Sequence, residues 1–140
     1  MSAENKAVLR RWFEDVWNKK KIETIDQLLA PGAVVAGVGR DMHGPEDFKV
    51  FYRAYCDAFP DVRLQIDALV AEGDLVVARF SGTGTHTGGG LGFAPTNRPV
   101  KIFGMAMCRV EKGRIVEGWN AFNQMEMFQQ MGVKEMPPSQ

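Results

Sequence analysis

Cysteine is scarce: the chain has two in 140 residues, Cys56 and Cys108. That is too few for a disulfide framework, so a reducing compartment and a cytoplasmic location are expected. Neither sign of charge is in excess, with 17 Lys+Arg against 17 Asp+Glu. This argues against nucleic acid as a partner, because a phosphate backbone is met by a basic patch. No apolar run approaches the ~20 residues of a membrane span. The start, Met1-Ser2-Ala3-Glu4-Asn5-Lys6, has no apolar signal core either, so no membrane partner is expected. His43 and His86 stand apart from each other and from the cysteines, without the paired spacing of a metal site, so no metal is expected.

What the sequence does contain is hydrophobic patterning whose period changes once. Val8, Leu9, Trp12, Phe13, Val16 and Trp17 recur at helical spacing with charges opposite. A shorter helix follows with Ile22, Ile25, Leu28 and Leu29 on one side, closed by Pro31-Gly32. Ala33 to Val38 reads as a strand and Gly39 to Pro45 as a turn. Pro45 then opens a third helix carrying Phe48, Phe51, Tyr52, Tyr55 and Phe59, which ends at Pro60. Beyond Asp61 the period becomes two. Val62 to Val70 alternates, Glu72-Gly73-Asp74 turns, and Leu75–His86, Val100–Val110 and Arg114–Asn123 follow as strands. A last helical turn or two covers Gln124–Met131. Helices early and strands late predict an α+β fold in residues 1–133, with 134–140, which include Pro137-Pro138, as a disordered tail. A strongly curved sheet closed by helices makes a cone, and its open end makes a pocket.

Several features invite a chemical reading. The run Gly88-Gly89-Gly90-Leu91-Gly92 lacks the Lys-Ser/Thr of a phosphate-binding loop, so it is expected to be a flexible connection or a mouth loop. On the strand Val100–Val110 one face carries Gly104 and Ala106, and the neighbouring strand carries Gly82 and Gly84. Small residues in mid-sheet leave volume that either a closely packed helix or a ligand fills. Trp12, Trp17, Phe51 and Tyr55 are core or ligand wall; Tyr52 and Tyr55 add hydroxyls that want partners. Asn120 and Asn123 flank the end of a strand beside Trp119, where asparagine is depleted. His86, at a strand end, has the pKa range for proton transfer.

Taken together, these segments resemble the SnoaL-like polyketide cyclase family of the nuclear transport factor two-like superfamily. The resemblance is carried by Phe13-Glu14-Asp15-Val16-Trp17-Asn18, Asp26-Gln27-Leu28-Leu29-Ala30-Pro31 and Gly44-Pro45-Glu46-Asp47-Phe48. Further carriers are Ala58-Phe59-Pro60-Asp61, the stretch Gly82 to Gly88, Gly113-Arg114-Ile115-Val116-Glu117, and Trp119 through Gly132. It implies a cone-shaped, strongly curved antiparallel sheet with three N-terminal helices enclosing a pocket. It also implies a homodimer packed through the sheets, a small-molecule substrate and no cofactor. In the family's cyclases an aspartate on the last strand moves the proton in an intramolecular aldol closure. Here Asn120 stands at that position, and Asn123 matches a later family carboxylate. Gly104 and Ala106 stand where a polar pocket residue is common, and Ala36 where a His is common. An amide takes no proton near neutral pH and works only through hydrogen bonds. The expected site is therefore Asn120, His86 and Tyr52 as the catalytic group, with Trp12, Trp17, Phe51, Tyr55, Gly104, Ala106, Trp119 and Asn123 binding substrate. The expected function is cyclisation or isomerisation of a bulky, apolar biosynthetic intermediate. The alternative is a binding module without catalysis. Epoxide hydrolysis on the same cone would need an Asp–Arg–Asp set that Asn120 and Ala106 do not supply.

Overall fold

The computed structural model describes residues 2–37 and 39–133; the expected tail over 134–140 lies outside the described residues. Helix α1 (Ser2–Arg11) runs on into a π-helical stretch, Trp12–Asn18. Trp12, Phe13, Val16 and Trp17 are all buried, and an i→i+5 ladder turns this set to one side. The ladder's wide pitch persists at its end, where Lys19 N donates to Glu14 O at 2.8 Å.

Helix α2 (Glu23–Leu28) is followed without a break by β1 (Leu29–Ala36), so the chain is extended earlier than expected. Pro31-Gly32 does not close the helix. It lies where the pairing of β1 slips between Leu29 and Val34, and a bulge tolerates both residues because it frees the local backbone from the ladder. The stretch read as a turn holds a two-residue strand, β2 (Met42–His43), paired antiparallel to β1 through Val35 and Met42. Helix α3 (Gly44–Ala58) takes Pro45 in its first turn, with Glu46 and Asp47 at its positive end.

Strands β3 (Arg63–Glu72), β4 (Leu75–Thr85), β5 (Pro99–Glu111) and β6 (Arg114–Phe122) form the expected meander, and α4 (Gln124–Met131) closes the described chain. The sheet runs β2-β1-β6-β5-β4-β3. It is mixed rather than antiparallel, because β1 pairs parallel with β6 through Val35 and Gly118. No hairpin links these two strands, and the helices and meander between them supply the long crossover that a parallel pair needs. The inner face packs on α1, the π-helical stretch and α3 in the main core, which holds Val16, Ile25 and Val76. A smaller cluster under α4 gathers Phe59, Val100, Met127 and Met131.

The small residues of the sheet serve two purposes. Side-chain atoms of Leu64 and Ile102 occupy the space beside Gly82, and Phe59 occupies that beside Gly84. At Gly104 a Cβ would lie 2.2 Å from the Ala121 carbonyl oxygen. These glycines admit close packing of protein on protein, whereas Ala106 borders open volume. The Gly-rich segment is likewise seated: a Cβ on Gly88 or Gly90 would strike the carbonyl of Asp57 or Ala54, so the segment lies directly on α3.

Candidate functional site

Between the inner face of the sheet and the helices lies a cavity of about 110 Å³, partly open to solvent. Its helical wall is aromatic. Trp12 packs on Phe48 with ring centroids 5.0 Å apart, Trp17 on Phe51 at 6.4 Å, and Phe51 on Tyr55 at 4.7 Å. Such tilted and edge contacts hold rings firmly. The sheet wall is built by alternation. Ala106 on β5 faces Asn120 on β6, and Cys108 faces Gly118, so one pleat face delivers all four to the cavity.

Asn120 is the polar group that interrupts this lining. Its side-chain amide has no hydrogen-bond partner among the described residues and remains partly accessible. Gly37 fixes the backbone around it: φ is +102°, and a Cβ would sit 2.0 Å from the Asn120 carbonyl oxygen. Only glycine allows the end of β1 to approach β6 so closely in that conformation.

No Asp, Glu, His, Lys or Arg lines the cavity among the described residues. Its titratable groups are Tyr55 and Cys108, and burial pushes both up, Cys108 to about 12. Both stay protonated at neutral pH. Among the described residues no group of three or more His, Cys, Asp or Glu is placed to hold a metal ion.

Of the residues singled out in the sequence, the structure brings Trp12, Trp17, Phe51, Tyr55, Ala106 and Asn120 to the cavity. It places the others elsewhere. The Tyr52 hydroxyl donates to the Val16 carbonyl at 2.8 Å, tying α3 to the π-helical stretch. Trp119 pairs with Met107 across the sheet, on the pleat face opposite to Asn120. Gly104 is filled from its own neighbour strand. Asn123 accepts from Phe103 N at 2.9 Å and donates its own N–H to Phe103 O at 3.1 Å, closing the β5–β6 ladder. His86 is fully buried just past β4, beside Phe59. Thr96 N donates to its Nδ1 at 3.2 Å, so the neutral ring carries its proton on Nε2. Burial lowers its pKa and favours that neutral form.

The sequence reading passes over several contributors. Phe80 and Phe122 line the cavity, and Gln124 holds the Tyr55 hydroxyl at 2.9 Å. Period-two alternation puts Phe122 on the face of Asn120, which is signal enough for that residue. Gln124 has none, since its partner lies 69 residues away.

A helix-backed, curved mixed sheet around an apolar cavity defines a cone of the nuclear transport factor two-like kind. The family profile of the SnoaL-like polyketide cyclases matches residues 7–131, and the chain belongs to that family. Solved structures agree. IdmH of Streptomyces antibioticus, a candidate polyketide cyclase, is 31% identical over 92% of this chain and 99% of its own, with a TM-score of 0.80. AclR of Streptomyces galilaeus, a candidate hydroxylase, is 26% identical over 98% of this chain and 87% of its own, with a TM-score of 0.84. A SnoaL-like protein of Jannaschia sp. CCS1 is 19% identical over 99% and 96% of the two chains, with a TM-score of 0.88, and so shares the fold. The comparison with curated proteins gives no match. No helix among the described residues is long and apolar enough to cross a membrane.

Proposed function

We propose that this protein is a cofactor-independent cyclase or isomerase acting on a bulky, apolar biosynthetic intermediate of polyketide type. The observation that carries the reading is the unpartnered Asn120 amide in an otherwise apolar, aromatic cavity. Aromatic walls confine a flat, conjugated ligand and fix its reacting atoms near one another, which by itself removes much of an intramolecular barrier. The Asn120 Nδ2 donates to a ligand carbonyl and stabilises the oxyanion as charge gathers there. Asn120 Oδ1 accepts from an enol hydroxyl. The proton that leaves the reacting carbon passes within the ligand to the oxygen that becomes the hydroxyl, because no lining carboxylate or histidine takes it.

A second copy of the chain belongs to this reading. It covers the outer face of the sheet, where Val70, Phe103 and Met105 are 60%, 57% and 53% exposed. Apolar exposure of this kind suits a homodimer face. Two free thiols, Cys56 and Cys108, suit a cytoplasmic setting.

The absence of a titratable group with an ordinary pKa from the described lining favours one competing reading, a module that binds the same ligand class without turnover. Mass spectrometry of tricyclic, anthraquinone-type esters incubated with the protein separates the two. An isomer of unchanged mass is the expected product. Unaltered ester recovered on the protein establishes the binding module and overturns catalysis.

A further inference from the structure

The chain has two tyrosines, Tyr52 and Tyr55, both on α3, and their hydroxyls are used in opposite senses. Tyr52 gives its proton to the Val16 carbonyl at 2.8 Å and leaves nothing for a ligand. Tyr55 receives instead: Gln124 Nε2 donates to its phenol oxygen at 2.9 Å. A phenol that accepts one hydrogen bond still has its own O–H to give. Among the described residues nothing takes that proton, while the ring of Tyr55 forms part of the cavity wall.

Gln124 is held in place for this task. It is the first residue of α4, and the residue before it, Asn123, is pinned to both backbone groups of Phe103. Tyr55 in turn meets Phe122 edge-on at 6.1 Å. Phe122 lies two residues beyond Asn120 on the same face of β6, so Tyr55, packed on Phe122, and Asn120 line one cavity at different levels along that strand.

We infer that Gln124 is a positioning residue that orients the Tyr55 hydroxyl to donate into the cavity, so that the site selects a neutral ligand carrying a second acceptor oxygen besides the one at Asn120. The inference rests on the proposed ligand-binding role of the cavity. It specifies the ligand further: two carbonyl-type oxygens set apart on a flat frame, and no carboxylate or ammonium, since no lining charge compensates either. Burial raises the Tyr55 pKa and keeps the donor proton in place across the neutral range.

The test compares anthraquinone, with two carbonyls, and anthrone, with one, by quenching of tryptophan fluorescence. The native protein is expected to favour anthraquinone by about tenfold, the worth of one neutral hydrogen bond. Tyr55→Phe removes the donor. Gln124→Glu keeps the side-chain size but presents a carboxylate that takes the Tyr55 proton for itself. Both variants are expected to bring the ratio close to one while retaining anthrone affinity. A purely structural Gln124 would weaken both probes alike and leave the ratio unchanged, which overturns the inference. If Asn120→Ala weakens anthrone but Tyr55→Phe leaves the ratio intact, the cavity reading survives and this inference does not. If neither probe binds the native protein, both fall.

Discussion

Asn120 and His86 illustrate how differently two polar residues fare when both are taken out of bulk water. Asn120 keeps an unpartnered amide beside the cavity, so Asn120→Ala is expected to weaken ligand binding about tenfold, one lost hydrogen bond. Thermal melting should stay within ~0.5 kcal/mol of the native protein, as no protein partner is orphaned. Unchanged titration curves in that variant would remove Asn120 from the site. His86 instead spends its Nδ1 lone pair on Thr96 N. Protonation would break that bond, and burial already holds the ring's pKa below the usual value. A depressed folded pKa means the contribution to stability is complete above pH ~6.5 and drains as pH falls through the lower folded value. Denaturant midpoints should therefore drop as pH falls below about 6.5, and His86→Gln should flatten that slope. Asp47, held down to about 2 by Arg40, titrates well below this window. Asn120 was legible in the sequence because an amide inside an alternating strand is a local anomaly. The burial of His86 was not, because it depends on Phe59 and on the seating of the Gly-rich segment upon α3.

Strand β5 separates two kinds of smallness. Ala106 borders the cavity, while the place of a Cβ on Gly104 is taken by the Ala121 carbonyl. Ala106→Leu is expected to fill the cavity and abolish ligand binding, at a stability cost below ~1.5 kcal/mol. Gly104→Leu should destabilise the fold by about 3 kcal/mol through a backbone clash, with the cavity otherwise untouched. Paired melting and titration curves check both; equal melting losses in the two variants would erase the distinction. The sequence showed that these positions are small and left open what fills them. The answer depends on cross-strand register, which period-two patterning does not encode. The elements themselves were legible from periodicity, except where a local rule misled. Pro31-Gly32 looked like the end of a helix and instead interrupts the register of β1, and the π-helical pitch of Trp12–Asn18 was hidden because its apolar spacing also suits an α-helix.

For the whole molecule, the outer sheet face sets the expected assembly. Val70, Val77 and Met107 lie in one cross-strand row with Trp119, next to Phe103 and Met105. Phe103→Asp should convert a dimer to a monomer in sedimentation velocity, with far-ultraviolet dichroism unchanged, because the side chain is exposed in the single chain. A native protein that already sediments as a monomer would rule the dimer out. The α+β class and the meander could be read in advance, but the parallel β1–β6 pair could not, since a long crossover leaves no local trace. That pair also imposes an order of events during synthesis. Strand β6 sits between β1 and β5, so β1 keeps an open edge until the residues of β6 have left the ribosome. The helices and the hairpins of β3, β4 and β5 have time to collapse locally, whereas the sheet becomes continuous only when β6 is threaded between its two halves. Asn120 rides on β6, so the ligand cavity acquires its polar residue at the same moment that β1 and β5 lose their open edges.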